Sequence, residues 1–302
     1  MSEQTKININ ALKKELNAVI IAHYYQPPEI QDIADFVGDS LQLAIQASET
    51  AADVIVTCGV KFMAESAKIL SPDKMVLLPV PDAGCPMADM VTADDVRRLK
   101  QEHPNSVVVC YVNSSAEVKA ESDICCTSAN ALKVVESLPA DQAIIFVPDK
   151  NLGSFIEQQT GRSMIKWEGY CPVHHALKAE HILEKKQEYP GSVVLVHPEC
   201  RPEVTALADG VMSTGGIFAR VKAAPDQQYI IGTEEGFLYG LHEYIDRKRM
   251  LVPYDHFICE DMKKISLEDL ETALVKKQYQ ITVPQEIRQR AYSSLQRMIQ
   301  IR

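Results

Sequence analysis

Three of the eight cysteines stand at matching distances behind three hydroxyl residues in this 302-residue chain. Cys85 follows a serine by 45 residues, Cys171 follows a serine by 43, and Cys259 follows a threonine by 45. Soft thiolates select zinc or iron–sulfur clusters. A structural zinc needs four ligands, whereas a [4Fe-4S] cluster held by three thiolates leaves one iron open for a substrate. The spacing therefore favours a catalytic metal centre with these three cysteines as ligands.

The cysteines belong to a threefold repeat. Three segments align without a gap: HYYQPPEIQDIADFVGDS from His23, YVNSSAEVKAESDICCTS from Tyr111 and HPECRPEVTALADGVMST from His197. At equivalent positions the three segments share a glutamate (Glu29, Glu117, Glu203), an aspartate (Asp35, Asp123, Asp209) and a hydroxyl residue (Ser40, Ser128, Thr214). Such self-similarity indicates one supersecondary unit present three times. We expect the uniform glutamates and aspartates to fix loops within each unit.

Short apolar runs alternate with helical patterns, which predicts the α/β class. The runs are continuous, as is typical of parallel strands covered on both faces. They lie at residues 19–21, 54–56, 75–78, 107–109, 143–147, 192–196 and 229–231. We predict three pseudo-threefold-related repeats, each a small parallel sheet with helices on both faces, over residues 1–100, 101–184 and 185–302. Two C-terminal helices are predicted, one capped by Ser266 with Asp269 and one starting at Pro284.

Polar groups at the ends of the first strands should meet in one cavity. Carboxyl ends of parallel strands and the helix starts that follow them face the same crevice, and three units around an axis would join their crevices. The strand-end residues are His23, Tyr111 and His197, and two residues further on come Tyr25, Asn113 and Glu199. Glu199 is the one acid of this ring. An enclosed carboxyl can have a raised pKa suited to general acid–base catalysis.

The three hydroxyls are predicted at helix starts. Free N–H groups and the helix dipole there bind phosphate and carboxylate, although plain N-capping is the simpler role. Three such ends would let a chain of formal net charge -10 hold a multiply anionic ligand. The remaining cysteines are expected to be buried thiols, namely Cys58, Cys110, Cys125, Cys126 and Cys200.

Composition and motifs exclude several classes of partner. The acidic charge and the lack of a basic run argue against nucleic acid. No apolar run approaches the ~20 residues of a membrane span, and the first residues lack the apolar region of a signal peptide. We therefore expect a cytoplasmic protein that does not bind membranes. The chain has no GxGxxG or GxxxxGK[ST] motif to support dinucleotide or P-loop nucleotide binding.

At these residues the chain resembles the quinolinate synthase family, NadA. The resemblance rests on AHYYQPPEIQDIADFVGDS, YVNSSAEVKAESD, HPECRPEV and ADGVMSTGG and on the cysteines in DAGCP, EGYCPVHH and HFICEDM. It implies three α/β domains around a [4Fe-4S] cluster with three cysteine ligands. It also implies condensation of iminoaspartate with dihydroxyacetone phosphate to quinolinate, with loss of phosphate and water, in de novo NAD biosynthesis. An aspartate-oxidising enzyme would supply the iminoaspartate.

The resemblance also implies roles for single residues. Cys85, Cys171 and Cys259 become the cluster ligands, and the open iron acts as a Lewis acid. The catalytic groups that it implies are Glu199 as acid and base, with Tyr25, Tyr111 and His197. The substrate-binding set that it implies is His23, Ser40, Tyr111, Val112, Asn113, Ser128, His197, Pro198, Glu199, Ser213 and Thr214.

Two other functions stay open at this point. One is a different open-iron [4Fe-4S] hydro-lyase acting on a small di- or tricarboxylate. The other is a non-enzymatic iron–sulfur sensor or carrier. A sensor needs no ring of histidine, tyrosine, asparagine, glutamate and hydroxyl groups, so the ring favours an enzyme.

Overall fold

The computed structural model describes residues 2–301 and contains three sheets of four strands. The first sheet holds β1 (Ala18–His23), β2 (Phe36–Gly38), β3 (Val54–Cys58) and β4 (Met75–Leu77). The second holds β5 (Val107–Tyr111), β6 (Ile124–Cys126), β7 (Ile144–Val147) and β8 (Ile165–Lys166). The third holds β9 (Val193–Val196), β10 (Gly210–Val211), β11 (Tyr229–Gly232) and β12 (Met250–Leu251). All pairs of these strands are parallel, and the order within each sheet is second, first, third, fourth.

Helices flank and connect the sheets. Before β9 the helices are α1 (Ser2–Glu15), α2 (Pro28–Ile33), α3 (Ser40–Glu49), α4 (Lys61–Leu70), α5 (Ala93–Glu102), α6 (Ala116–Glu121), α7 (Ala131–Glu136), α8 (Lys150–Thr160), α9 (Pro172–Ala176) and α10 (Ala179–Glu188). Then follow α11 (Pro202–Thr205), α12 (Thr214–Ala223), α13 (Phe237–Leu241), α14 (Leu267–Lys276) and α15 (Gln285–Gln300). Short 3-10 helices lie at Ala88–Met90, Arg247–Arg249 and Glu260–Lys263.

The predicted α/β class and the threefold repeat are confirmed. Each of the seven apolar runs lies in a strand or extends no more than one residue beyond it, and the three sheets share one strand order. The two-residue edge strands β8 and β12 are too short to leave an apolar run in the sequence. Ser266 and Asp269 form the predicted capping box, and α15 starts directly after Pro284.

One aspartate in each unit fixes the start of the second strand against the first. Its carboxylate accepts a backbone N–H from the first strand at 2.8 Å in all three units. The pairs are Asp35 with Ile20, Asp123 with Val108 and Asp209 with Val194. Each aspartate also donates its own N–H to the carbonyl of the same partner. The predicted scaffold role of the aspartates is confirmed, whereas the repeated glutamates are exposed in the first turns of α2, α6 and α11.

The second unit departs from the predicted helix start. α7 begins at Ala131, not at Ser128, because Thr127 and Asn130 close an additional turn. Thr127 donates its N–H to Asn130 Oδ1 at 2.8 Å, and Ala131 donates its N–H to the Thr127 carbonyl at 2.9 Å. The Asn130 amide also donates to the Met298 carbonyl at 3.0 Å and so anchors α15. The expectation of a helix start at Ser128 is therefore wrong.

The hydrophobic core is continuous through the first two units and reaches into the third. A smaller cluster, which includes Leu177, Val196 and Phe257, lies beside the third sheet. α15 packs against α6 and α4, and α14 packs against α1. We keep the ranges 1–100, 101–184 and 185–302 as a proposal for the unit boundaries; their outer limits, Met1 and Arg302, lie outside the described residues. No helix within residues 2–301 is long and apolar enough to cross a membrane.

We predict that Asp209→Ala lowers the free energy of unfolding by about 1–3 kcal/mol, because the buried Val194 N–H loses its side-chain acceptor. Urea unfolding of the purified variant measures this. Glu203→Ala is the matched control. Loss of this exposed carboxylate in the same unit should change the free energy of unfolding by only about 0.5 kcal/mol. Equal losses in the two variants would contradict the scaffold role of Asp209.

Candidate active site

A cavity of about 240 Å³ lies at the carboxyl ends of the first strands of all three sheets. Most of the predicted site residues line it: His23, Tyr25, Ser40, Cys85, Tyr111, Asn113, Ser128, Cys171, His197, Glu199, Thr214 and Cys259. The three cysteines come from different units, as do the three hydroxyls. The common edge of the parallel sheets therefore brings distant sequence positions together.

Three predicted residues are not among the lining side chains. Val112 is buried and faces a small neighbouring cavity, and Pro198 is buried beside His197. Ser213 caps α12 by accepting the Gly216 N–H at 3.2 Å, and its hydroxyl lies 3.3 Å from Asp39 Oδ2. Asp39 in turn caps α3, so this contact joins the helix starts of the first and third units.

The three lining thiols share one local geometry. Burial raises the pKa of Cys85 to about 12, that of Cys259 to about 11 and that of Cys171 well above its usual value. In each case a backbone N–H three residues further on opposes the rise, from Ala88, His174 and Met262. N–H groups aimed at sulfur are a feature of iron–sulfur sites, and a bound metal deprotonates its thiol ligand. The donor set therefore fits a thiolate-ligated metal group.

The other five cysteines are buried and are not among the lining residues. They belong to or follow strands of the core, as in β3, β5 and β6. This agrees with the expectation of plain buried thiols for Cys58, Cys110, Cys125, Cys126 and Cys200.

His23 and His197 occupy equivalent positions with equivalent contacts. The Tyr25 N–H donates to His23 Nδ1 at 3.1 Å, and the Glu199 N–H donates to His197 Nδ1 at 3.3 Å. Burial lowers the pKa of both imidazoles to about 3, so both are neutral near pH 7. A neutral imidazole that accepts at Nδ1 carries its proton on Nε2. Both rings therefore present an Nε2–H donor, and that of His197 lies 3.1 Å from the Ser128 hydroxyl.

Glu199 is a buried carboxylate between two donors. The Tyr111 hydroxyl donates to Oε1 at 2.5 Å, and His174 Nδ1 lies 2.7 Å from Oε2. Burial opposes ionisation of Glu199, but the contacts of His174 and the Tyr111 hydroxyl with its two oxygens hold the pKa of its carboxyl below the usual range. The expectation of a raised pKa is therefore wrong, because these partners outweigh the desolvation. At neutral pH the group is therefore ionised, which is the charge state that a general base needs.

A chain of hydrogen bonds connects the two cavity tyrosines. From Glu199 it passes through His174 to Thr233, whose hydroxyl is 3.0 Å from His174 Nε2 and 2.5 Å from the Tyr25 hydroxyl. Burial, followed by the charge of Glu199, raises the pKa of Tyr25 and of Tyr111 well above the usual value. Both phenols are thus protonated, and the chain links two proton donors to one base.

Sequence reasoning missed His174 and Thr233. Thr233 directly follows β11 and so obeys the same strand-end rule as His23, but that rule was applied only to the first strand of each unit. His174 lies three residues after Cys171 in the sequence Cys-Pro-Val-His, a local signal beside a candidate ligand. Cys171, His174 and Glu199 also have ligand atoms within 4.8 Å of one another and could hold a single metal ion.

Fold and cavity together define a class: α/β enzymes in which three related units enclose a thiol-lined site equipped for proton transfer. Comparisons with known proteins agree. The family model described as Quinolinate synthetase A protein matches residues 7–300. The chain is 53% identical over 294 residues to the quinolinate synthase of Methanosarcina barkeri, covering 97% of this chain and 96% of that protein. It is 50% identical over 299 residues to that of Desulforudis audaxviator, with 99% of each chain covered.

The chain therefore belongs to the quinolinate synthase family, and the family predicted from its motifs is confirmed. The proteins named in these comparisons are enzymes, and this chain is an enzyme of that family.

We predict that Thr233→Val lowers turnover to quinolinate by about 10²-fold, because a methyl group replaces the hydroxyl between Tyr25 and His174. Steady-state assays under anaerobic conditions measure this. Thr205→Val is the matched control, since its hydroxyl bonds only to the Pro202 carbonyl in α11, outside the cavity. Turnover of Thr233→Val within twofold of the unaltered protein would contradict a role for the chain of hydrogen bonds.

Proposed function

We propose that this enzyme condenses iminoaspartate with dihydroxyacetone phosphate to quinolinate, with loss of phosphate and water, in de novo NAD biosynthesis. Family membership and the names of the relatives support the product. The observation that carries the proposal is that one cysteine from each unit lines the same cavity as the proton-transfer groups. An aspartate-oxidising enzyme is the proposed source of iminoaspartate.

We propose that Cys85, Cys171 and Cys259 hold a [4Fe-4S] cluster. When bound, its open iron would supply Lewis-acid polarisation of an oxygen atom of the substrate. Three thiols that line the cavity, each with a backbone N–H from the residue three positions on, support this ligand set. It uses one equivalent residue from each unit, as the repeat suggests.

A single ion held by Cys171, His174 and Glu199 is the competing metal site. Such a site would take its ligands from His174 and Glu199, which already bond to Thr233 and Tyr111. It would also leave two of the three lining cysteines without a role. The threefold thiol set is therefore the site that we propose.

Neutral donors are proposed to bind the anionic groups of the substrates. Ser40 and Thr214 are the first residues of α3 and α12, where Asp39 and Ser213 already supply the N-caps. Their hydroxyls are then not needed as caps and lie beside helix N-termini that favour phosphate and carboxylate. The Nε2–H groups of His23 and His197 add two more donors. None of these groups requires a buried positive charge.

Asn113 and Ser128 complete the proposed binding set from the second unit. Asn113 Oδ1 is buried and has no hydrogen-bond partner within the described residues, although its side chain lines the cavity. A buried acceptor without a partner is costly, so a donor on the substrate would compensate it. The Ser128 hydroxyl, beside His197 Nε2, is proposed to bind the same anionic group as that histidine.

Proton transfer is proposed for Glu199, Tyr111 and Tyr25. The Glu199 carboxylate has the charge state of a base and would accept protons released during tautomerisation. Tyr111 lies 2.5 Å from it and would hold the carboxylate in place or return the proton. Tyr25 would donate a proton to a departing oxygen and be reprotonated through Thr233 and His174.

Anaerobic assay of the purified, cluster-loaded protein with iminoaspartate and dihydroxyacetone phosphate tests the proposed reaction. Formation of quinolinate is the expected result. A protein that binds the cluster but forms no quinolinate would instead be one of the alternatives, a different open-iron hydro-lyase or a sensor.

We predict that alanine in place of Cys85, Cys171 or Cys259 abolishes stable binding of the cluster, because each removes one of three ligands. Iron content and the visible absorption of anaerobically reconstituted protein measure this. Cys58→Ala is the control, since Cys58 is buried in β3 away from the cavity and should retain full iron. Full iron in the three ligand variants, or its loss only on replacing Cys171, His174 or Glu199, would overturn the assignment.

We predict that Glu199→Gln retains the cluster but slows quinolinate formation by about 10²–10⁴-fold, because the amide keeps the shape and cannot accept the proton. Turnover and iron content are measured on the same preparation. Near-normal turnover at full iron would exclude a role as base. Parallel loss of iron and activity would indicate that Glu199 only supports the loop.

A further inference from the structure

Each cysteine loop is tied to the end of the third strand of its own unit by the same backbone hydrogen bond. The donor is the N–H of the third residue after β3, β7 or β11, and the acceptor is the carbonyl two residues before the cysteine. The bonds are Lys61 to Ala83 at 2.8 Å, Lys150 to Gly169 at 2.9 Å and Glu235 to Phe257 at 2.9 Å. The three loops thus start from equivalent anchors.

The residue just before each of these donors differs between units. Strand register aligns Cys58, Val147 and Gly232, which makes Val60, Asp149 and Glu234 equivalent. The two carboxyl residues of this set, Asp149 and Glu234, are fully buried, with 0% of each residue exposed. A buried ionisable group needs compensating partners, so its contacts indicate what it holds.

Glu234 contacts the third cysteine loop at two points. Its Oε1 accepts the Cys259 N–H at 3.3 Å and lies 2.7 Å from Lys263 Nζ. Its Oε2 accepts the Gly236 N–H at 2.8 Å. Lys263 also donates to the Tyr25 carbonyl, in the first unit. One ion pair, between a buried carboxylate and a partly exposed lysine, therefore connects the main chain of Cys259 with the main chain of Tyr25.

A carboxylate also contacts the first cysteine loop, whereas Asp149 in the second unit contacts its own helix. Asp149 Oδ1 caps α8 by accepting the Asn151 N–H at 2.7 Å. Its Oδ2 is buried and has no hydrogen-bond partner within the described residues. Val60 has no acceptor, and in its unit the Gly84 N–H donates to Asp261 Oδ1 at 3.2 Å. Asp261 lies two residues after Cys259, so this bond joins the first loop to the third.

We propose that Glu234, paired with Lys263, is a positioning residue that fixes Cys259 in ligand geometry and sets its register against Tyr25. This inference rests on the proposed function, because it takes the three thiols to be cluster ligands. Residues that orient metal ligands typically contribute about 10–100-fold to metal affinity or activity.

A merely structural ion pair would behave differently. It would contribute to the stability of the protein with or without the cluster and would leave the release of iron from folded protein unchanged. A positioning pair affects how tightly the cluster is held and its spectrum. The rate of iron transfer to a chelator from folded, loaded protein separates the two roles.

The experiment compares three variants after anaerobic reconstitution. Glu234→Gln keeps the shape but has one acceptor oxygen for the two N–H groups and Lys263. Lys263→Met removes the cation and its bond to Tyr25. Glu121→Gln is the matched control, because its buried carboxylate bridges Arg97 at 3.0 Å and Arg290 at 2.7 Å outside the cavity. Circular dichroism, iron release to a chelator and the electron paramagnetic resonance spectrum of the reduced cluster are recorded for each.

The unaltered protein is measured first, and its failure to bind iron would overturn the proposed function and this inference with it. With a stable cluster in that protein, we expect iron release about 10–100-fold faster and an altered spectrum in Glu234→Gln and Lys263→Met, and no change in Glu121→Gln. Release within twofold of the unaltered protein in the two site variants overturns the inference alone. An equal acceleration in the control overturns it as well. If Glu234→Gln does not fold, Lys263→Met decides by the same criteria.

Discussion

Burial of the ionisable groups around the cavity sets their protonation states. These states determine the chemistry that this enzyme can perform. Desolvation keeps His23 and His197 neutral, keeps both tyrosines protonated and raises the pKa of all three lining thiols. Glu199 is the exception, because donors contact both of its oxygens. Among the predicted site residues that line the cavity, Glu199 is thus the one carboxylate, and its neighbours in that set are neutral donors. A thiolate-binding metal group would remove the electrostatic penalty on the thiols, which is why buried thiols and a metal suit one another.

The repeated backbone contacts explain how three separate sheets can position such a site. An aspartate in each unit locks the second strand to the first, and an equivalent hydrogen bond ties each cysteine loop to the third strand. These contacts lie within units, so each unit sets its own loop. Contacts between units then fix the loops relative to one another, as in Lys263 with Tyr25 and Asp261 with Gly84. Catalytic geometry depends on such supporting contacts as much as on the lining residues.

Much of this arrangement could be predicted from the sequence, because the repeat identifies equivalent positions in the three units. Apolar runs located the central strands, and the constant spacing separated Cys85, Cys171 and Cys259 from five other cysteines. What sequence reasoning missed depends on contacts between distant segments. Thr233 and His174 become neighbours of Tyr25 and Glu199 only in the folded chain. The pKa of Glu199 is lowered, whereas the sequence predicted a raised pKa, because the partners of Glu199 also come from distant segments. Asn130 displaced the start of α7 because it also binds the end of α15.

The three units are alike in backbone but unlike in the side chains that they present. The cysteine occurs in all three, whereas the residue two positions after His23, Tyr111 or His197 is tyrosine, asparagine or glutamate. The Glu234 position is valine in the first unit and aspartate in the second. The proposed cluster meets three equivalent ligands and so gains from identical residues. The two proposed substrates have no threefold symmetry, and their recognition would need a different group from each unit. Identical cysteines in the three units suit a symmetric cofactor, and different neighbouring residues suit asymmetric substrates. A site that must do both would favour one repeated scaffold that keeps the ligands constant and varies the residues around them.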